Sequence, residues 1–578
     1  MSTLTVSAFR EQTLDLLTRG RVYEFIPRAE AYLEQVPKDH LIRLRMVQEY
    51  LKLGLIQPAS DLLSIELEGT GFPRELASIR DSLLRMQSRP VPWSDFAGRY
   101  EANLGALEAR GIDTGPIRRA WKSNQERFQL WFDRSDVQHV RMLGGDGKWR
   151  WIPFFGDHGS LERVKPLPEG IKALQPGPYL FEGLDLGHYF ARVYNATLDS
   201  FLGFSCALFI VEPDPALLAL VFHLHDWSGL LADTRVHIFT GENCVDPLRT
   251  VFEENLNLPL PTHAFAMSRF RPGCQPTAVE AVQELGKQRE RAIRESYADV
   301  ESSYVGRDLT YWAERLSKAL SGKDEPLRVL AVVSTHTSFL QYSMEDVRRA
   351  LEELGHKCTV LMEDTHYEVP GPLTYHKAIR ELEPDLFFII DHLRHELTSI
   401  VPTNLPILTW DQDQLPHVFT ADNMRKVPPT DFLVGYSKPL WVRAGCNPRQ
   451  FLNARIPTSP ERFSGDPLTA AEIERYTCDV SYVSHASQTP EQFHQEERRQ
   501  YGDPQLVRLL DCMYELLPPL LARHRVVHRE LPVMVLEEAC ARVGVQLRDE
   551  QIRQRLMWWY LWRLGDRMFR HEALGWVA

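Results

Sequence analysis

Four apolar runs between residues 329 and 435 each end in polar, titratable side chains. Ser334-Thr335-His336-Thr337-Ser338 follows VLAVV, Asp391-His392 follows LFFII, Trp410-Asp411-Gln412-Asp413 follows LPILT, and Tyr436-Ser437 follows FLVG. Short apolar runs separated by amphipathic stretches read as buried strands of a parallel sheet. Such sheets bind ligands outside the carboxyl ends of their strands, so the four sets should share one edge. A general base there must reach the proton it abstracts, and an imidazole that titrates near 6.5 suits neutral pH. His336 is therefore the first candidate base, Asp413 the second and Asp391 the third. Ser334, Thr335, His392, Trp410, Asp411, Tyr436 and Ser437 would contact substrate. Any one of these could equally be an ordinary loop residue, His336 included. Asp411-x-Asp413 has the form of a metal-binding carboxylate pair, but its place after a mid-sheet strand reads as capping or contact with substrate hydroxyls. No metal is expected.

A second constellation lies upstream. Gly183 and Gly187 occupy G-L-D-L-G after the run PYLFE, and the run ALFIVE ends at Glu212. A glycine turn lets backbone approach a ligand and opens a helix whose N-terminus favours anions. An acid at the end of the next strand commonly hydrogen-bonds a ribose. The set reads as cofactor-binding (Gly183, Gly187, Glu212) or as a purely structural strand–helix unit. His223-x-His225-Asp226 has a metal-like composition, but its place on a helix reads as packing and capping.

The surrounding sequence must position these groups. Residues 1–90 are helical by periodicity and resemble tetratricopeptide-type hairpins or a plain helical cap. Residues 91–274 form an α/β domain preceded by a hairpin, signalled by Asp146-Gly147 between two strand-like runs. A charged helical linker spans 275–326, a second α/β unit 327–476, and a mostly helical end 477–578, opening on the strand-like CDVSYVS. At 578 residues the chain is long enough for several cores. The net charge of −12 and the lack of a basic stripe exclude a broad nucleic-acid surface. The eight cysteines stand singly, which argues for reduced thiols rather than disulfides or zinc, and no apolar run is long enough to span a bilayer. Together these features suggest a cytoplasmic protein.

The stretch YLFEGLDLGHYFARVYN with ALFIVEPDPALLALVFHLHD is similar to two families. One is the class I S-adenosylmethionine-dependent methyltransferases, from which Asp185 departs where the family has a middle glycine. The other is the Rossmann-like N-terminal part of the motility accessory factor family of flagellin glycosyltransferases. Residues 327–484 resemble the bacterial spore-maturation glycosyltransferase-like group, which has a GT-B fold. That resemblance rests on SMEDVRRALEELGH, DLFFIID, LPILTWDQDQLPH, FLVGYSKPLWVRAGCNPRQF and CDVSYVS.

The resemblance implies an α/β chain: an N-terminal helical-repeat-like segment, then two Rossmann-like parallel-sheet units. The second unit would be the N-terminal lobe of a GT-B fold with an incomplete C-terminal lobe. It implies a glycosyltransferase, or the N-terminal portion of one, moving a sugar from a nucleotide-sugar donor to a protein or surface-glycan acceptor, with no further cofactor. The alternatives are a methyltransferase-like enzyme using S-adenosylmethionine, or a non-catalytic scaffold that docks a protein partner through its N-terminal helices.

Overall fold

The computed structural model describes residues 6–64, 79, 81–83, 88–133, 138–144, 147–153, 177–198, 204–266, 276–413, 415, 420–457, 459–461, 463, 465–479, 488–524 and 530–577. It divides into two compact units. One comprises Met1–Ser303, Val333–Ser343 and Leu361–Glu383, the other Tyr304–Val332, Met344–Val360 and Pro384–Ala578.

The first unit begins with helices Val6–Thr18, Val22–Gln35, His40–Lys52 and Ile56–Ser64. Gly20 and Gly54, at φ 69° and 77°, end the first and third helices in the left-handed region, where glycine pays no Cβ penalty. Asp39 caps the third helix through the amides of Leu41 and Ile42 at 3.0 and 3.2 Å. Its other oxygen accepts from Arg10 at 2.6 Å and Tyr32 at 3.0 Å, so one side chain ties three helices together. Phe25, Ile26, Ile42, Met46, Val47 and Leu63 form their common core.

An antiparallel sheet follows: β1 (Ser88–Val91), β2 (Phe128–Asp133), β3 (Gln138–Leu143) and β4 (Trp149–Pro153), ordered β1-β2-β3-β4. Period-two alternation sends Phe128, Leu130, Val140 and Ile152 into the core. Gly147 lies at φ 74°, and Leu143 stands opposite Trp149 as the hairpin reading requires. Asp146 lies outside the described residues.

Strands β5 (Tyr179–Glu182), β6 (Leu208–Glu212), β7 (Val236–Thr240) and β8 (His263–Ala266) form a parallel sheet ordered β7-β6-β5-β8. Every residue of β5 and β6 is buried, as expected for strands covered on both faces. His223, on helix Pro215–Leu224, is stacked 4.2 Å from both Tyr100 and Trp121 and bonds the Ala219 carbonyl at 2.8 Å. Its role there is packing. Segments 361–383 and 333–343 cluster with this unit through contacts such as Val369 to the Asn257 carbonyl (2.8 Å) and Thr374 to the Asn257 side chain (2.7 Å).

The second unit is built on β9 (Arg328–Val332), β10 (Lys357–Leu361), β11 (Leu386–Ile390), β12 (Ile407–Asp411), β13 (Phe432–Gly435) and β14 (Phe451–Asn453). Their order is β10-β9-β11-β12-β13-β14, with β9, β11, β12, β13 and β14 paired in parallel. Chain order reverses between β9 and β11, the topological position at which open parallel sheets form their crevice. Both parallel sheets are Rossmann-like, so the mixed α/β architecture with a helical N-terminal segment is as the sequence implies. A helical bundle from Pro490 to Val577 completes the unit around Phe493, Leu509, Met513, Leu536 and Tyr560. Within its WWYLW stretch, Tyr560 and Leu561 are buried and Trp559 donates to Glu497 at 3.1 Å. The strand expected over CDVSYVS lies, from residue 480 onward, outside the described residues. No helix among the described residues is long and apolar enough to cross a membrane.

Candidate functional site

In the second unit the carboxyl ends of β11, β12 and β13 bring Asp391, Asp411, Asp413, Tyr436 and Ser437 together. Asp391 follows β11 directly with φ 57°, a conformation that costs an L-residue energy and recurs at functional sites. Its carboxyl group is 3% exposed, and Oδ1 accepts the amides of Gln412 at 2.7 Å and Asp413 at 2.8 Å. Burial pushes its pKa up to about 7; the two amides oppose that rise, and the charges of Asp413 and Asp411 add to it.

Asp411 is fully buried at the end of β12, opposite Gly435, and its Oδ2 accepts the Trp441 indole N–H at 2.7 Å. A Cβ on Gly435 would stand 2.6 Å from the Asp411 carbonyl oxygen, so glycine alone allows this approach. Asp413 is exposed. Tyr436 is half-exposed, and its hydroxyl reaches the Gln412 carbonyl at 3.4 Å. Its pKa is raised by burial and then by the charges of Asp411, Asp413 and Asp391, so all three carboxylates act on it.

The remaining predicted residues of this edge differ in role. Ser437 is buried, and its carbonyl accepts from Leu440 and Trp441 in the helix that follows. Trp410 is 6% exposed and packs against Phe388, so its ring serves the core of the sheet. His392 is half-exposed, its Nδ1 lies 3.3 Å from both oxygens of Glu396, and that bond raises its pKa.

Trp441, Gly435 and Glu396 belong to this edge and were missed from sequence, whereas Gln412 was placed there within its polar set but given no role. Gln412 is 4% exposed, and neither polar atom of its carboxamide has a partner among the described residues. An unpaired buried amide is costly and calls for an explanation. Trp441 and Glu396 sit 30 and four residues from the groups they hold, and nothing in their local pattern marks them. Gly435, immediately before Tyr436, is the one whose position could have been noticed.

His336, Ser334 and Thr335 lie in the first unit. Glu363 organises them, accepting from the Ser334 hydroxyl at 2.9 Å and the Thr335 amide at 2.8 Å. The His336 ring meets Phe204 edge-on at 5.3 Å. Burial lowers its pKa; Glu363 opposes this and His366 adds to it. Its Nε2 is buried without a partner among the described residues.

The upstream glycine turn is filled by the protein itself. Glu212 is 1% exposed and takes the Leu184 amide at 3.2 Å on one oxygen and the Asp214 amide at 3.1 Å on the other. Gly183 and Gly187 have φ of 86° and 80°, and a Cβ on Gly187 would lie 2.6 Å from Trp227. Leu184 and Leu186 are buried within the turn. Among the described residues, no group of three or more His, Cys, Asp or Glu side chains is arranged to hold a metal ion.

No protein-family model matches the sequence, and no curated protein matches it. Among solved structures, the MAf glycosyltransferase from Magnetospirillum magneticum AMB-1 aligns with 54% of this chain at 12% identity and a TM-score of 0.22. The aligned part spans 53%, about half, of that chain. An overlap this loose fixes neither fold nor activity.

Proposed function

We propose that the carboxyl edge of the β9–β14 sheet is a glycosyl-transfer site that moves a sugar from a nucleotide-sugar donor to a hydroxyl of a protein or glycan acceptor. The observation that carries this reading is Asp391: a buried carboxyl on strained backbone, at the edge where such sheets bind ligands, poised to exchange a proton near neutrality. The choice of sugar as the transferred group rests on the sequence resemblance of residues 327–484.

In this mechanism the acceptor hydroxyl gives its proton to Asp391 as its oxygen forms a bond to the anomeric carbon. The bond from that carbon to the nucleoside diphosphate breaks, and the diphosphate leaves with the electron pair. The two amides on Oδ1 fix the carboxyl plane and leave Oδ2 for the proton. Tyr436, half-exposed at the same edge, supplies a hydrogen bond to an acceptor hydroxyl. The reading requires no cofactor beyond the donor. Asp391 displaces His336 as the preferred base because its environment tunes it towards neutral pH, whereas burial takes His336 in the opposite direction.

The test is nucleoside diphosphate release from a panel of UDP-, GDP- and dTDP-sugars with hydroxyl acceptors. The intact protein should release diphosphate with at least one donor, and Asp391→Asn should not. Release by Asp391→Asn at the wild-type rate, or no release with any donor, would overturn the reading.

A further inference from the structure

In the first unit, the face of the antiparallel sheet turned away from its core carries Trp131, Arg141, Trp149 and Trp151. Helices Val22–Gln35, His40–Lys52 and Ile56–Ser64 stand against one end of it, and between them lies a groove of about 610 Å³. That volume is within the range of small-ligand sites, roughly 300–1,000 Å³. We propose that this groove binds a neutral oligosaccharide. The inference stands on the groove alone and is independent of transfer activity.

The walls are charged but balanced. Glu30, Glu34 and Asp61 face Arg43, Lys148 and Arg150. Those six charges cancel, and the Arg141 guanidinium beside Trp149 leaves one net positive charge, a weak field for selecting an ion. Indole faces ordinarily recruit cations, but here the protein supplies one: the Arg141 guanidinium lies 4.8, 5.1 and 5.6 Å from the rings of Trp149, Trp131 and Trp151. A cationic ligand would compete with a residue already in place. An uncharged one needs no such electrostatic contact and can use the part of Trp149 that remains exposed.

The groove offers such a ligand two complementary surfaces. Trp149 is 37% exposed, a flat apolar plate suited to the C–H face of a pyranose ring. Carboxylates and cations beside it provide acceptors and donors for vicinal hydroxyls. The surface is also held rigid before binding, which lowers the ordering cost. Asp61 accepts the Trp151 indole N–H at 2.6 Å, and Tyr50 donates to Glu30 at 2.7 Å. Arg43, 1% exposed, braces the wall through the carbonyls of Leu62 and Pro37, both at 2.6 Å.

The experiment applies the full chain to an array of neutral, sialylated and sulfated oligosaccharides, with tryptophan-fluorescence titration of each hit. At least one neutral oligosaccharide should bind and perturb the emission. Trp149→Ala should weaken it at least tenfold, and Glu34→Gln, at a largely exposed position, should weaken it measurably while leaving the melting temperature unchanged. Asp391→Asn should bind as the wild type does, so loss of transfer and loss of binding are read separately. Absence of any neutral hit, preference for charged glycans, or binding unaffected by Trp149→Ala would overturn the proposal.

Discussion

One carboxylate oxygen of Asp391 accepts the backbone N–H of Asp413 at 2.8 Å, across the ends of two neighbouring parallel strands. The bond fixes a carboxyl that would otherwise rotate and couples it to the charge of the residue that donates. Burial outweighs the two amides, and the group titrates near 7 instead of near 4.

A base that must be ionised to act loses activity as pH falls through its pKa. Transfer should therefore show an acid limb with a midpoint near 7, set by Asp391. Asp391→Asn should lower kcat by about 10²–10⁴, the usual contribution of general-base catalysis. His336→Ala should retain the limb. A limb that vanishes in His336→Ala and persists in Asp391→Asn would transfer the role to the histidine.

The same shift has a consequence for stability. The folded chain keeps this proton up to about pH 7, whereas the unfolded chain releases it near 4. The carboxyl's contribution is complete below about pH 4 and is lost as pH rises through 7. Asparagine stays neutral, keeps an oxygen for both amides and tolerates positive φ. Asp391→Asn should thus melt above the wild type at pH 8, with the gap closing towards pH 4. A gap equal at both values would contradict the buried, neutral carboxyl.

Much of this edge was legible in the sequence because strand ends are marked by abrupt changes in polarity. Asp391 and Tyr436 each follow an uninterrupted apolar run, Asp411 follows one broken only by Thr409, and the parallel order places those runs side by side. What periodicity cannot show is where a side chain goes after it leaves the strand. Trp410 and Tyr436 look alike at the ends of their runs, yet one ring is buried in the sheet and the other reaches the edge. Partners distant in sequence are equally hidden. The Asp411–Trp441 bond spans 30 residues, and the Glu363 clasp on Ser334 spans 29. The glycine turn at 183–187 was recognised as a turn, but its occupant, Trp227, comes from 40 residues downstream of Gly187 and leaves no local trace.

That turn yields a prediction of its own. An acid ending the second strand reads as a ribose contact, but Glu212 spends both oxygens on the amides of Leu184 and Asp214. Glu212→Ala should strip the buried Leu184 amide and the part-buried Asp214 amide of their acceptor, costing about 1–3 kcal/mol for the buried group left unpaired and less for the other. Urea denaturation measures this. Calorimetric titration with S-adenosylmethionine should show no heat in either protein. Saturable heat in the wild type, abolished by the substitution, would restore the cofactor reading.

Gly435 tests whether the edge depends on close strand approach. Its φ is not in the left-handed region, so an added methyl group acts only through space, and it would meet the Asp411 carbonyl oxygen at 2.6 Å and Asp411 Cβ at 2.8 Å. Both contacts are to atoms held by the sheet, so the strands must part. Gly435→Ala should cost about 1–3 kcal/mol, as overpacking does in well-filled interiors. The strain falls on the carboxylate held by Trp441, so indole emission should shift alongside the lower denaturation midpoint. Leaving Trp441 in place while removing its acceptor, as in Asp411→Ala, should move the emission the same way without added bulk at the strand ends. An unchanged midpoint in Gly435→Ala would mean that the strand ends are looser than the described geometry, and that Asp411 is not pinned where the proposed site needs it.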